Sequence, residues 1–355
     1  MCASGGEVIP YEWQPHLYPA WRQSNFRGIL RATTGAGKTI ASCLALQSYL
    51  IDHPDARILI LAPRREIIAQ WQKELINHSI EADCMSYMAY ISKSAQGKTT
   101  PYDVLIADEC HNLLTPVQSR TLDYHTGHIL GLSATPETSD RIIGPIIMSI
   151  DYDEADISPF TVHYHKFPLT QKQQASYQRK TERVKEALKK NPYDRINWAI
   201  LDRRAFCYEL EQRIPLAINL IEQNEGRRIM LFCERQKQAI SLSQALTDSG
   251  TPHALHLSSK KDLQRFLSHE VDIVISCKML QEGFNDPSAD VAIIVSSATT
   301  SRSHIQTIGR VIRPADGKHA DIHVLLAGGT TDTNLIRAVK WPGSVNIVQD
   351  VITLQ

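Results

Sequence analysis

Lys38 and Thr39 close the run Ala32-Thr33-Thr34-Gly35-Ala36-Gly37-Lys38-Thr39, whose glycine spacing suits a turn that wraps phosphate. Glycines let backbone N–H groups close on phosphate oxygens, and the helix entered at Thr39 adds the positive end of its dipole. Thr34, Gly35, Ala36 and Gly37 form the cradle, Lys38 reaches the β- and γ-phosphates, and the Thr39 hydroxyl ligates Mg²⁺. Ala32 stands where the general P-loop pattern has its first glycine. Asp108 and Glu109 are adjacent carboxylates after the apolar run Val104-Leu105-Ile106-Ala107. At a strand end, Asp108 can hold Mg²⁺ through water while Glu109 orients or deprotonates an attacking water. The pair also suits a helix N-cap, but a P-loop upstream at the spacing of a nucleotide fold favours the metal-and-water role. Arg310 and Arg313 lie one helical turn apart, so a single helix face can present both guanidinium groups to a γ-phosphate.

The elements that must position these groups follow from the apolar pattern. Gly28-Ile29-Leu30 is a short strand before the cradle, and Thr39 to Leu50 is an apolar-periodic helix after it. Arg57 to Ala62 and Val104 to Ala107 are continuous apolar runs, as expected of strands buried on both faces. The first ends in Pro63-Arg64-Arg65, at the edge where parallel sheets bind ligands. Arg64 there can grip a nucleic-acid phosphate, although a solvated surface pair suits the same residues. His128 to Leu132 leads into Ser133-Ala134-Thr135-Pro136. The Ser133 and Thr135 hydroxyls can bond to the Asp108–His111 segment and relay the nucleotide state to bound nucleic acid. Upstream, Gln14 lies between Trp13 and Trp21, and its amide can read an adenine edge. A polar helix start among core tryptophans is an equal description of those residues.

Further along, Asp151 to Asp156 is acidic and turn-rich and marks a hinge, and helix is expected over 169–225. Its basic face (Arg179, Lys180, Arg183, Lys185, Lys189, Lys190) is interleaved with Glu182 and Glu186, which favours a solvated face over a binding surface. Tyr177, Val184 and Leu188 face the core. His163 and His165 alternate along a strand and are expected on the surface. Ile229–Cys233, Val271–Cys277, Val291–Ser296 and Ile322–Ala327 are strands separated by helices, which implies a parallel, right-handed sheet.

Composition excludes several classes. The chain has 355 residues with Lys plus Arg equal to Asp plus Glu, 38 each, so any polyanion must be held by a local surface. Seven cysteines without a C-x-x-C pair argue against a zinc site or a disulfide framework and suit buried thiols in the cytoplasm. The N-terminus lacks signal-peptide regions, and no apolar run approaches a membrane span.

T-T-G-A-G-K-T, D-E-C-H, S-A-T-P and Q-T-I-G-R-V-I-R-P, in that order, resemble the superfamily 2 helicases of the DExH type. The likeness runs from about Tyr11 to beyond Pro314. It implies two tandem RecA-like domains, each an α/β doubly wound, mainly parallel sheet, with ATP in a cleft between them and nucleic acid across the top. The expected boundaries are 1–153 and 154–355. The resemblance also assigns Gly283 and Asn285, in L-Q-E-G-F-N-D-P, to the stretch that couples nucleotide to nucleic acid. Family members often carry Asp where this chain has Asn285, which removes a charge-dependent role there. The motif forms are closest to DNA-acting members: restriction-enzyme motors, XPB-type translocases and phage recombination helicases. An ATP-dependent, Mg²⁺-requiring helicase or translocase on single-stranded or duplex DNA is therefore expected. A DExH-type RNA helicase is the alternative. A non-hydrolysing scaffold is disfavoured because Glu109, Arg310 and Arg313 are all present. No nuclease, zinc or wedge domain is evident beyond the two units, so the chain is expected to be either the motor of a larger assembly, with a partner protein supplying nuclease or recognition function, or a minimal enzyme from a mobile element.

Overall fold

The computed structural model describes residues 10–33, 35–125, 127–134, 142–151, 154–155, 158–190, 198–257, 262–277, 288–296, 319–339 and 346–352. The chain divides into two compact units, Met1–Asp156 and Ile157–Gln355.

In the first unit the helices are α1 (Leu17–Gln23), α2 (Lys38–Asp52), α3 (Arg65–Asn77) and α4 (Tyr87–Ala95). The strands are β1 (Arg27–Ala32), β2 (Ile58–Ala62), β3 (Asp83–Ser86), β4 (Val104–Asp108), β5 (His128–Ser133) and β6 (Ile146–Ile150). They form one sheet in the order β3-β2-β4-β5-β1-β6, with each described pair parallel. Parallel neighbours need crossover connections, which is why helices intervene. Every residue of β2, and Val104 to Ala107 of β4, is buried, as expected of strands covered on both faces. Trp21, fully buried on α1, donates its indole N–H to the Ile129 carbonyl (3.1 Å) and so pins α1 to the sheet.

The second unit contains β7 (Phe160–Phe167), α5 (Gln171–Lys190), α6 (Trp198–Tyr208), α7 (Arg213–Gln223), β8 (Ile229–Cys233) and α8 (Gln236–Asp248). β9 (Ala254–His256), β10 (Ile273–Cys277), β11 (Val291–Ile294), β12 (Ala320–Ala327) and β13 (Asn346–Val351) follow. Its sheet runs β13-β7-β12-β11-β8-β10-β9, and the described pairs are again parallel. The helical stretch expected over 169–225 is three helices, not one. α6 lies along α5: the Lys180 ammonium meets Asp202 at 2.6 Å.

Arg213 is almost wholly buried at the start of α7. It donates to the carbonyls of Cys207 (2.7 Å), Val295 (2.6 Å) and Leu325 (2.9 Å), and it pairs with Asp332. One side chain thereby ties α6, α7 and the strand ends of β11 and β12 together. A buried guanidinium is tolerable because its donors are satisfied and its charge is paired.

Of the two histidines expected on the surface, His165 is buried and His163 is half-buried. β7 is paired on both edges, by β12 and β13, so it is an interior strand. His165 is buried and stacks with His323 (ring centroids 5.2 Å), and the two rings share one hydrogen bond of 2.9 Å. His163 stacks on His323 as well and meets Asp321 at 2.9 Å, where Arg227 also pairs. Burial, first, and the neighbouring imidazoles hold His323 down at about 3 and His165 at about 4. The unfolded chain therefore takes up protons near pH 6.5 while these folded imidazoles stay neutral. Their contribution to stability is complete above pH 6.5 and is lost as pH falls toward 4. Hydrogen bonds from His163 and Arg227 hold the Asp321 carboxyl well below the usual carboxylate range, so its contribution is lost only below about pH 4. Denaturant titrations of the second unit's far-UV signal should show a loss of about 2 kcal/mol per buried imidazole between pH 7 and 5. His323→Asn should flatten that dependence; a profile unchanged by this substitution would exclude the imidazole stack as its source.

Candidate nucleotide site

Because the strands of the first sheet are parallel, their carboxyl ends lie on one edge. β1 delivers the cradle there, β2 delivers Arg64, β4 delivers Asp108 and Glu109, and β5 delivers Ser133. The register is explicit: Arg31 lies opposite Ser133, and Asp108 opposite Leu132. Such edges are where open α/β sheets bind ligands.

Gly35 and Gly37 adopt φ of +93° and +83°, the left-handed region that side chains with a Cβ rarely enter. A Cβ on Gly37 would also stand 2.5 Å from the Gln14 amide nitrogen. Gly37 caps α2, so Lys38 and Thr39 open the helix with their N–H groups at its positive end. The Lys38 ammonium donates to the Ala32 (2.9 Å) and Thr33 (3.0 Å) carbonyls and so stands inside the loop. Ala36 is fully buried. Gln14 is also buried: its carbonyl oxygen accepts from the Tyr11 amide (3.0 Å) and its NH₂ donates to the Gly37 carbonyl (3.1 Å). A glutamine amide has one further donor and one further acceptor site, so the adenine role is compatible with this clasp on the loop. Thr34 lies outside the described residues.

Asp108 is held from two sides. One carboxylate oxygen accepts from the Trp71 indole N–H (2.8 Å) and the other from the Glu109 amide (2.9 Å). Burial raises its pKa above the ordinary carboxylate value, and the Trp71 bond, the Lys38 charge and the Glu109 amide oppose that rise. The Tyr87 hydroxyl fixes the adjoining backbone by donating to the Asp108 carbonyl (2.7 Å). Glu109 itself has φ +49° and ψ +52°, a conformation costing a non-glycine residue on the order of 1 kcal/mol. Two donors from Asn112, its amide (2.9 Å) and its side chain (2.8 Å), hold the Glu109 carbonyl in that turn. The turn brings the Glu109 carboxylate to His111 Nδ1 (3.3 Å), and the same nitrogen is 3.3 Å from Ser133 Oγ.

Ser133 is thus linked to the D-E-C-H segment, but it is fully buried. Its assignment to direct nucleic-acid contact is corrected accordingly, because it has no accessible surface; its described contact is with His111. Arg64 is exposed at the residue preceding α3. Thr135, Gly283, Asn285, Arg310 and Arg313 lie outside the described residues. Sequence inspection missed the supporting roles of Trp71, Tyr87 and Asn112. A polar-tipped aromatic on a helix directly after a strand was the available signal, since a buried indole N–H or phenol needs a partner.

Two glycines at positive φ, an ammonium inside the loop, a helix N-terminus and a buried carboxylate together fit a nucleoside triphosphate with Mg²⁺. With a second parallel α/β unit following in the chain, these features define a tandem RecA-like nucleotide-binding protein. Family models agree: "Type III restriction enzyme, res subunit" matches residues 7–99, and "Helicase conserved C-terminal domain" matches residues 212–315. The DNA 3'-5' translocase XPB2 of Sulfurisphaera tokodaii is 24% identical over 375 residues, covering 92% of this chain and 83% of that protein. A Rad25 protein of Haloarcula marismortui is 25% identical over 345 residues, covering 87% of this chain and 51% of its own length. The chain thus spans about half of some curated relatives it matches. Among solved structures, a DNA-bound ATP-dependent Type ISP restriction-modification enzyme, LlaBIII, aligns with TM-score 0.67 at 15% identity. That alignment covers 98% of this chain and 32% of LlaBIII. Dbp5 of S. cerevisiae, bound to RNA and ADP BeF3, also aligns with TM-score 0.67, at 13% identity over 96% of this chain and 90% of Dbp5. The chain is thus similar to helicases and restriction-enzyme motors along most of its length. Among its described residues no helix is long and apolar enough to cross a membrane.

Proposed function

We propose that the chain is an ATP-driven DNA helicase or translocase whose hydrolysis is stimulated by nucleic acid. The observation that carries this is the convergence of Lys38, the Asp108–Glu109 pair and Arg64 on one sheet edge. Thr34 to Thr39 and Gln14 hold the nucleotide, and Thr39 and Asp108 hold Mg²⁺, which supplies charge neutralisation of the phosphates when bound. Glu109 takes the proton of the attacking water, with His111 beside it to orient the carboxylate. Arg310 and Arg313 stabilise the charge of the transferred phosphoryl group. Gly283 and Asn285 belong to the coupling stretch, and Arg64 and Thr135 to the nucleic-acid contacts. The XPB-type relatives support DNA as the track, and the restriction-enzyme likeness supports a partner that supplies nuclease or recognition function.

ATPase rates with single-stranded DNA, duplex DNA, forked DNA and RNA test this directly. DNA should stimulate turnover most. Dominant stimulation by RNA would favour the RNA-helicase alternative, for which relatives named ATP-dependent rRNA helicase, 24–25% identical, speak. Turnover indifferent to every nucleic acid would overturn the motor assignment.

Trp71→Phe keeps the buried ring and removes only the indole donor to Asp108. Loss of such a supporting hydrogen bond commonly costs about ten-fold or more in metal affinity. The Mg²⁺ concentration for half-maximal ATPase should rise by that factor, with thermal stability lowered modestly. An unchanged Mg²⁺ titration would show that the bond does not orient the carboxylate for metal.

A further inference from the structure

Two isoleucines of the first unit stand almost wholly in solvent. Ile51, near the end of α2, is 81% exposed, and Ile76, near the end of α3, is 77% exposed. A single exposed apolar side chain is ordinary, but these two flank one concavity. The Gln47 side-chain amide donates to the His78 carbonyl (2.8 Å) and fixes the ends of α2 and α3 side by side. Beside them opens a cavity of about 660 Å³, lined by Leu50 of α2, Pro54 and Asp55 after it, Ser79 and Glu81 after α3, and Tyr102 before β4. It lies at the amino ends of β2, β3 and β4. Because α2 runs about 20 Å from Lys38 to Ile51, this edge is the one opposite the nucleotide cradle.

The cavity is rigid, and its one lining guanidinium is already engaged. Arg57 lies over the Tyr102 ring (4.8 Å to the centroid), meets Asp83 at 3.8 Å and donates to the Pro101 carbonyl (3.1 Å). The Tyr102 hydroxyl donates to Asp83 as well (2.7 Å), which locks the wall. Asp55 and Glu81, on the rim, are exposed, and among the described residues neither meets a cation. A shallower concavity of about 390 Å³ adjoins across Pro54–Ala56 and adds Asp52 and Asp103. The combined surface sets five carboxylates against two guanidinium groups, Arg57 and the Arg22 that meets Asp52 at 3.6 Å. Such a face repels phosphate. An isologous pairing with a second copy would set carboxylate against carboxylate. The complementary surface is therefore both apolar and basic, and an apolar patch rimmed by charge marks protein contact.

We propose that this edge of the first unit docks a partner protein, which seats an aliphatic or aromatic side chain between Ile51 and Ile76 and sets Lys or Arg on Asp55 and Glu81. The assignment rests on the reading that the motor works with a partner, and it names the place and the chemistry of that contact. Docking here leaves the nucleotide edge open.

Selection of a phage-displayed random peptide library on the full chain, followed by fluorescence anisotropy with the enriched peptides, tests it. Those peptides should combine Leu, Ile, Phe or Trp with Arg or Lys. Ile51→Ser together with Ile76→Ser should weaken their binding about ten-fold or more, the scale of losing an apolar hot spot. Asp55→Asn together with Glu81→Gln should weaken it about five-fold at low salt and flatten its salt dependence. Ile240→Ser, at an exposed isoleucine of α8 in the second unit, should leave affinity unchanged. Thermal melting checks that each variant is folded. No enrichment, enrichment of acidic peptides, or wild-type affinity in the Ile51→Ser, Ile76→Ser chain would overturn the docking surface. So would displacement of a fluorescent ATP analogue by the peptides, which would place them at the other edge. A dimeric wild-type chain that the same double substitution turns monomeric would give the face to a second copy instead. ATPase and its stimulation by DNA should be unchanged in that double variant, so failure of the docking surface leaves the motor assignment intact.

Discussion

Glu109→Gln is expected to lower steady-state ATP turnover by about two to four orders of magnitude, the range a positioned general base supplies. The substitution removes the proton acceptor and little else. Glutamine matches glutamate in length, its amide oxygen can still accept from His111, and the Asn112 donors that fix residue 109 act on its backbone carbonyl. The strained turn at φ +49° is therefore retained. Asp108 keeps both of its hydrogen bonds, because one comes from Trp71 and the other from the residue 109 amide. Nucleotide and nucleic acid should bind with near wild-type affinity, giving a stalled complex. The measurement is single-turnover phosphate release alongside equilibrium binding of a fluorescent ATP analogue. Hydrolysis at the wild-type rate in that assay would remove Glu109 from the role of water activator.

Lys38→Ala is expected to lower turnover by about two to three orders of magnitude, the scale of deleting one preorganised charge donor to a reacting phosphate. It should weaken nucleotide binding as well, which separates it from Glu109→Gln. The structure also indicates what happens to the loop. The Lys38 ammonium bonds to the Ala32 and Thr33 carbonyls, so its removal leaves two acceptors without that donor. The loop still has its Gln14 clasp and its two positive-φ glycines. A loss of about 1 kcal/mol of stability is expected, small enough for the fold to survive at assay temperature. Wild-type-like ATPase in a folded Lys38→Ala chain would refute the P-loop assignment.

Much of the site was legible along the chain because its chemistry is local. A phosphate cradle needs glycines, lysine and hydroxyl within eight consecutive residues, and a strand that ends in Asp-Glu carries its own punctuation. Strands buried on both faces appear as unbroken apolar runs; β8 matches its expected bounds, and β10 and β11 fall inside theirs. Other features were illegible for the opposite reason. β7, with its histidines, has no unbroken apolar run, so its interior position is decided by β12 and β13, strands more than 150 residues away. Arg213 carries no sequence signal because its partners come from the ends of three separate elements.

Residue types along the chain were enough to specify the cradle, the carboxylate pair, the order of the motifs and the two-unit α/β plan. Each of these depends on residue type at short spacing, where backbone geometry leaves few alternatives. Long-range packing settled that Trp71 and Tyr87 hold Asp108, that Ser133 is sealed beneath His111, and that His165 is buried. All of these depend on which distant strands pair and which helix face turns outward, quantities that no local run of residues fixes.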